Sequence, residues 1–168
     1  RSTYTKGFVL WCQGRPRAAV REFDEALGLV EGAGSSLPRW IRCSRARALA
    51  MLGRIAEAEA DLAASSHHVP EDLAYVAIVK GEPEVARTVL EPHVSGGDPF
   101  VLALYGITQS LRGDTRAGEE HLAAASVRFA AGGLLHYALS TQIHLGFCRE
   151  QRRQGSGRAH ARRAAMEL

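Results

Sequence analysis

The histidines and cysteines are the side chains of this sequence best suited to bind a metal ion. The chain holds seven histidines and three cysteines. His144 and Cys148 are four residues apart, so on a helix they would face the same side, as two ligands of a zinc site do. No third ligand is close to them in the sequence, and no HExxH pattern occurs. The sequence therefore predicts no metal site.

Motifs for catalysis and for phosphate binding are missing as well. No Ser or Cys nucleophile stands in a recognisable local pattern with a His and an orienting carboxylate. Neither GxxxxGKS nor GxxxxGKT occurs, and the GSG at residues 155–157 follows a predicted helix rather than a strand. We therefore expect no catalytic residues, no cofactor and no enzymatic activity. A helical enzyme with an unrecognised site remains the lesser alternative.

The composition favours an all-α globular chain. Of the 168 residues, 46% are hydrophobic but only 7% are aromatic. Alanine and leucine are abundant, and they favour helices over sheets. The formal net charge of +3 reflects an arginine-rich segment, residues 149–168. We interpret that segment as a helix with a solvated arginine face, so no direct contact with nucleic acid is expected.

The cysteines and the hydropathy pattern predict a cytoplasmic location. Cys12, Cys43 and Cys148 are odd in number and far apart, so we expect buried thiols in a reducing compartment rather than disulfides. No apolar run is long enough to span a membrane, and the N-terminus lacks a signal-peptide pattern. Because the chain starts at Arg1 and stops within a helical pattern at Leu168, we expect a fragment of a longer protein.

A helical hairpin between Gly7 and Leu27 is the clearest structural pattern. An apolar helical run reaches Gly14, Pro16 follows two residues later, and a second helical run begins there. Glycine lets the first helix end in a left-handed turn, and proline suits the first turn of the next helix. The stretch therefore predicts two antiparallel helices with almost no loop.

The same hairpin pattern recurs along the chain. Its turn glycines are Gly14, Gly53, Gly81, Gly113 and Gly155. The residues seven positions before them are Gly7, Ala46, Ala74, Gly106 and Cys148. The residues five positions after them are Ala19, Ala58, Ala86, Gly118 and His160, and those nine after are Phe23, Leu62, Leu90, Leu122 and Ala164. Small residues let paired helices approach closely, and a large apolar residue fills the gap to the next unit. The first four units fit this pattern, and the fifth departs from it at His160 and Ala164.

This register resembles the tetratricopeptide repeat, whose period is about 34 residues. The resemblance implies an all-α, right-handed superhelix of about five antiparallel helix pairs in a single domain. The units would be about 1–30, 36–65, 71–92, 99–130 and 134–168. In the last unit a helix over residues 134–154 has apolar positions at Leu135, Ala138, Leu139, Ile143 and Phe147, and we expect residues 155–157 to end it before a helix over 158–168.

The unequal repeat spacing and the phrase QSLRGDTRAGEEHLAAA at residues 109–125 resemble a more specific group. They are similar to the tetratricopeptide-like domains of large ATP-dependent LuxR-type bacterial transcription regulators. This resemblance implies a non-catalytic module for sensing or interaction within such a regulator. A free-standing scaffold for protein–protein interaction is the alternative.

The inner surface of a tetratricopeptide superhelix is lined mainly by the first helix of each pair. The resemblance places these residues in that groove: Tyr4, Phe8, Trp11, Arg47, Met51, Tyr75, Ile107, Arg149 and Arg152. Aromatic rings followed by arginines suit a protein or peptide partner, or a small anionic effector. No membrane contact is expected, and homo-oligomerisation through the terminal repeats stays open. The alternatives are that Phe8 and Trp11 pack against a missing preceding element and that the arginines are ordinary solvent-facing surface.

Overall fold

The computed structural model describes residues 2–30, 36–65 and 69–166, and beyond residue 155 it describes the backbone alone. Every regular element in these ranges is helical. The α-helices are α1 (Thr3–Cys12), α2 (Pro16–Val30), α3 (Leu37–Met51), α4 (Ile55–Ala64), α5 (Pro70–Lys80), α6 (Pro83–Leu90), α7 (Pro99–Leu111), α8 (Thr115–Ala131) and α9 (Leu135–Met166). The predicted all-α class is therefore confirmed. Among the helices of the described ranges, none is long and apolar enough to cross a membrane.

The chain divides into two compact units, Arg1–Glu82 and Pro83–Leu168. In the first unit α1 packs on α2, α2 on α3 and α3 on α4, and α5 contacts both α3 and α4. In the second unit α6 packs on α7, α7 on α8 and α8 on α9. Each helix therefore packs mainly against its neighbours in the chain, as helical repeats do.

The predicted glycine turns join the helices. Gly14 has a φ of 68°, in the left-handed region that favours glycine, and the Arg15 N–H donates to the Leu10 carbonyl across the turn at 2.9 Å. Gly53, Gly81 and Gly113 have φ values of 73°, 85° and 92°. The sequence prediction of these four turns is confirmed, since each lies where one helix ends and the next begins.

Burial follows the predicted repeat register in the first four units. A Cβ atom on Gly7 would lie 2.8 Å from the Phe23 ring, and one on Gly106 would lie 2.8 Å from the Leu122 Cγ. Small residues on the first helix of a pair therefore leave room for large residues of the second. The fully buried register positions include Ala19, Phe23, Ala46, Ala58, Ala74, Ala86, Leu90 and Leu122.

The expected fifth helix pair is wrong. Helix α9 runs without a break from Leu135 to Met166, so residues 155–157 do not separate two helices. Gly155 has no positive φ, and a glycine inside a helix costs only about 1 kcal/mol when nothing else interrupts the hydrogen-bond pattern. No proline follows Gly155 to stop the helix. The side chains of His160 and Ala164 lie outside the described residues.

A short 3-10 helix follows the third helix pair. Helix α6 ends at Leu90, and a 3-10 helix, Glu91–Gly96, follows it directly. Pro92 lies at the start of that short helix, where the missing N–H of proline removes no hydrogen bond. Pro92 therefore begins a new element.

Candidate functional site

Three helices of the first unit bring predicted groove residues together. Phe8 and Trp11 lie on α1, Arg47 lies on α3 and Tyr75 lies on α5. Helix α3 contacts both α1 and α5. We call these four residues the aromatic–arginine surface. All four are partly exposed, and the three aromatic side chains pack on one side against the hydrophobic core of the unit.

The side chains of the aromatic–arginine surface contact one another in a chain. The ring centroids of Phe8 and Trp11 are 5.7 Å apart, and those of Trp11 and Tyr75 are 6.4 Å apart in an edge-on arrangement. The Arg47 guanidinium carbon lies 5.9 Å from the Trp11 ring centroid, within the range of a cation–π contact. These contacts fix the rings and the cation relative to each other, which reduces the conformational entropy that a ligand would have to remove.

A buried carboxylate orients Arg47. The Arg47 Nε donates to Asp72 Oδ1, and Asp72 is only 2% exposed. The two terminal amino groups of Arg47 form no hydrogen bond to any side chain or carbonyl in the part of the chain that the structure describes. About a fifth of the Arg47 side chain is exposed, so its two terminal amino groups can together bind an incoming carboxylate.

Two further predicted residues of the first unit are not members of this chain of contacts. Met51 is one turn after Arg47 on α3 and is 43% exposed, so it extends the exposed surface. Tyr4 instead packs inward, with its ring centroid 6.0 Å from that of Phe23 and its hydroxyl 3.4 Å from Ser44 Oγ. The structure therefore places Tyr4 with the core packing of α1.

Burial and the same carboxylate control the titration of neighbouring groups. Burial, and after it the negative charge of Asp72, raises the pKa of the Cys43 thiol to about 11, against smaller opposing effects of Ser65 and Arg47. Burial also raises the pKa of the Tyr75 hydroxyl, with Arg47 acting in the opposite direction. Both groups therefore stay neutral at physiological pH.

The raised pKa of Cys43 predicts a loss of stability in alkali. The thiol ionises near 9.0 in the unfolded chain but near 11 in the folded one, so between these values the folded state binds one proton more. Unfolding then becomes easier as the pH rises, by about 1.4 kcal/mol per pH unit and up to about 3 kcal/mol in total. Chemical denaturation from pH 8 to pH 11 should show that the free energy of unfolding falls more steeply with pH in the wild type than in Cys43→Ala. Equal slopes would contradict the assignment.

The predicted groove residues of the second unit lie in two places. Ile107 is partly buried and packs against Leu122, Leu145 and Cys148. Arg149 and Arg152 share one partner, Glu119 of α8. Arg149 Nε and Arg152 Nη1 each lie 3.0 Å from one of its carboxylate oxygens. Both arginine side chains are more than half exposed. Each is therefore engaged by an internal ion pair of modest strength.

The His144 and Cys148 pair lines a small pocket. The pocket has a volume of about 130 Å³, and Ile107 and Phe147 also line it. Neighbouring protein atoms displace water from His144 and lower the pKa of its imidazole. Cys148 Sγ lies 2.8 Å from Ser110 Oγ and is buried. In the described ranges no three His, Cys, Asp or Glu side chains come together as metal ligands would.

The sequence analysis missed Asp72 and Glu119, the two acidic residues that pair with the predicted groove arginines. Asp72 was indistinguishable from an ordinary acidic residue in the first turn of a helix, where the helix dipole favours it. Its spacing of three residues before Tyr75 was the available signal, because that spacing places both on one face of α5. Glu119 gave no comparable signal, since its partners are far away in the sequence.

Helix pairs with tight glycine turns and small-on-large packing define a helical-repeat protein. Residues 1–30 and 39–62 match the family model described as a tetratricopeptide repeat. These segments cover α1 with α2, and most of α3 with α4, so the match supports the tetratricopeptide repeat superfamily for these two helix pairs. Proteins built from such repeats are generally non-catalytic scaffolds for protein–protein interaction. Neither the curated proteins nor the solved structures that were compared gave a match.

Proposed function

We propose that this protein is a non-catalytic interaction module and that its aromatic–arginine surface binds a protein or peptide partner. The observation that carries the proposal is the geometry around Arg47. Buried Asp72 accepts a hydrogen bond from the Arg47 Nε, the guanidinium carbon lies over the Trp11 ring, and the two terminal amino groups are unpaired within the described residues. A guanidinium presented in this way recognises a carboxylate through two parallel hydrogen bonds.

The partner we propose is an acidic peptide segment with apolar or aromatic neighbours. Its carboxylate would bind the outer donors of Arg47, and its apolar side chains would pack on Phe8, Trp11 and Tyr75. Aromatic residues and arginine are the side chains that most often dominate binding energy at interfaces. Because the surface extends over α1, α3 and α5, it suits a chain better than a small anionic effector, which is the alternative ligand of Arg47.

A peptide selection tests this proposal. A random peptide library displayed on phage is selected against the wild-type protein, and the strongest peptide is synthesised and titrated by calorimetry. Arg47→Lys keeps the charge beside Asp72 but loses the fork geometry, so we expect about a tenfold weaker affinity. Met51→Glu adds a repelling carboxylate at the exposed edge of the surface, and we expect a loss at least as large.

Leu29→Glu is the matched control for Met51→Glu. Leu29 lies on α2 and is 71% exposed, so this variant places the same charge on a different surface without disturbing the core. It should bind the peptide as the wild type does. The proposal would be overturned if the selection recovered no peptide, or if Arg47→Lys bound the recovered peptide as tightly as the wild type does. Binding of a small dicarboxylate but no peptide would favour the effector alternative.

We further propose that the module serves as the sensing or interaction part of a cytoplasmic bacterial transcription regulator. The support is the style of its repeats, with unequal spacing and the phrase at residues 109–125. A ligand on such a surface would bias the packing between neighbouring repeats and so transmit a signal to attached domains. The sequence of the full-length protein on either side of the module tests this proposal. A nucleotide-binding GxxxxGKS or GxxxxGKT before the module and a helix-turn-helix after it would support the regulator, and their absence would favour a free-standing scaffold.

A further inference from the structure

Helix α9 carries an exposed apolar stripe. Leu135, Leu139, Ile143 and Phe147 follow one another at intervals of four residues and are 64%, 68%, 63% and 65% exposed. We call these four residues the α9 stripe. Four-residue spacing places them in one ridge along one side of the helix. Large apolar side chains this exposed are ordinary when scattered, but a continuous row of them marks an interaction surface.

The opposite face of α9 is already used for packing. Its residues Ala138, Thr141, Leu145 and Cys148 are each at most 7% exposed. They pack within the second unit, where α9 contacts α8 and α7. The α9 stripe therefore has the character of a surface that another helix covers.

We propose that the α9 stripe is the interface of a homodimer, in which α9 of one copy packs against α9 of a second copy. A twofold axis between Leu139 and Ile143 would pair Leu139 of each copy with Ile143 of the other, and Leu135 of each with Phe147 of the other. The stripe is thereby complementary to itself, as an interface around a twofold axis has to be. Ridges with four-residue spacing interdigitate at a crossing angle of about −50°, the commonest helix packing in globular proteins.

The charge distribution favours a second copy over a charged partner. From Leu134 to Cys148 the sequence contains no Asp, Glu, Lys or Arg. Two copies of such a face meet without repulsion between like charges. An acidic or basic partner would find no opposite charge along the stripe, and so it would lack the electrostatic complementarity that selects such partners.

The exposed area is sufficient for a reversible dimer. At about 150 to 200 Å² for each large apolar side chain, the four residues of the α9 stripe expose roughly 450 Å². Two copies would together bury on the order of 1,000 Å² once the polar atoms beside the stripe are included, which is near the lower limit for a specific interface. We therefore expect a dissociation constant of about 10 μM rather than an obligate dimer.

Sedimentation velocity of the full chain tests the dimer. Between about 1 and about 200 μM the wild type should shift from the mass of one chain towards twice that mass. Ile143→Glu places a carboxylate beside the proposed axis and should weaken dimerisation by about a hundredfold. Because Ile143 is 63% exposed, this variant should keep the wild-type helical content, which circular dichroism can check.

Leu29→Glu is the matched control here too, since Leu29 is as exposed as the residues of the stripe but lies on α2. It should dimerise as the wild type does. A wild type that stays monomeric throughout this range would overturn the proposal and indicate another occupant of the stripe. Equal dimerisation of Ile143→Glu and the wild type would overturn it as well, by showing that the contact lies elsewhere. Neither result depends on the aromatic–arginine surface, because the stripe belongs to the second unit.

Discussion

Gly118→Ala lowers the free energy of unfolding by about 2 kcal/mol, although alanine is the better helix former by about 1 kcal/mol. At this crossing of α7 and α8, a Cβ atom on Gly118 would lie 2.8 Å from the Gly106 carbonyl oxygen, and it would also collide with Ser110 Oγ. The serine side chain can rotate, but the carbonyl belongs to the backbone of α7. The helices must therefore separate, which loosens the contact of Leu122 with Gly106.

Two other glycines give matched controls for Gly118→Ala. Gly146 in α9 and Gly28 in α2 are helical, and a Cβ atom on either would meet no heavy atom within 4 Å. Alanine at these positions should be neutral or should stabilise the protein by up to about 1 kcal/mol. Urea denaturation of dilute samples measures all three. Should Gly118→Ala prove as stable as Gly146→Ala, the close approach of α7 and α8 would be refuted.

Arg45→Met should lower the free energy of unfolding by about 3 kcal/mol, the largest loss we expect from a single substitution. Asp61 is 3% exposed, and Arg45 holds it through two hydrogen bonds of 2.7 and 2.6 Å from Nε and Nη2. Arg42 Nη1 is 3.7 Å away, too far to replace them. Methionine preserves much of the side-chain volume of Arg45, so the loss would come chiefly from buried Asp61, which would lose both hydrogen bonds and keep only the longer ion pair with Arg42.

A double variant separates this electrostatic effect from packing. Arg45→Met combined with Asp61→Leu removes both charges, and we expect it to recover most of the lost stability because apolar residues of similar volume often replace a buried ion pair without loss. Arg54→Met breaks the exposed pair of Arg54 with Glu57 and should change stability by less than about 0.5 kcal/mol. If Arg45→Met and Arg54→Met lower the free energy of unfolding by the same amount, the hydrogen bonds of Arg45 to Asp61 do not stabilise the fold.

Much of the fold was predictable because the sequence signals were local. Helix α2 begins at Pro16 as predicted and ends at Val30, the last residue of the first predicted unit, and α4 follows the predicted turn at Gly53. Their starts are fixed within a few residues by a glycine in a left-handed turn and by the residues that follow it. The burial register was predictable for a similar reason, because Gly7 and Phe23 have to fit together within one hairpin.

The errors arose where local signals do not decide the structure. Gly155 can lie in a helix or end one, and the choice depends on the residues around it rather than on glycine itself. The sequence also left undecided which apolar positions of α9 are buried. The pattern could not show that Ala138 would be buried while Leu139 and Ile143 would be exposed, because that depends on which side of α9 packs against α8.

The candidate site was predictable as a set of positions but not as a set of interactions. The repeat register placed Trp11, Arg47 and Tyr75 on the first helices of consecutive pairs, and the structure brings them into contact. The ion pairs of Arg47 with Asp72 and of Arg149 with Glu119 join side chains from different helices. Such pairs depend on side-chain directions in the folded unit, which the spacing of residues along the sequence does not specify.

The two tryptophan indole signals in a nitrogen-15 NMR spectrum test the proposed binding surface most directly. The chain contains two tryptophans. Trp11 lies in the aromatic–arginine surface, with its buried Nε1 unpartnered among the described residues, whereas Trp40 is 46% exposed at the start of α3. On titration with the selected peptide, the Trp11 indole signal should shift in proportion to binding while that of Trp40 stays in place. A bound peptide that moves the Trp40 signal and leaves Trp11 unchanged would contradict the account.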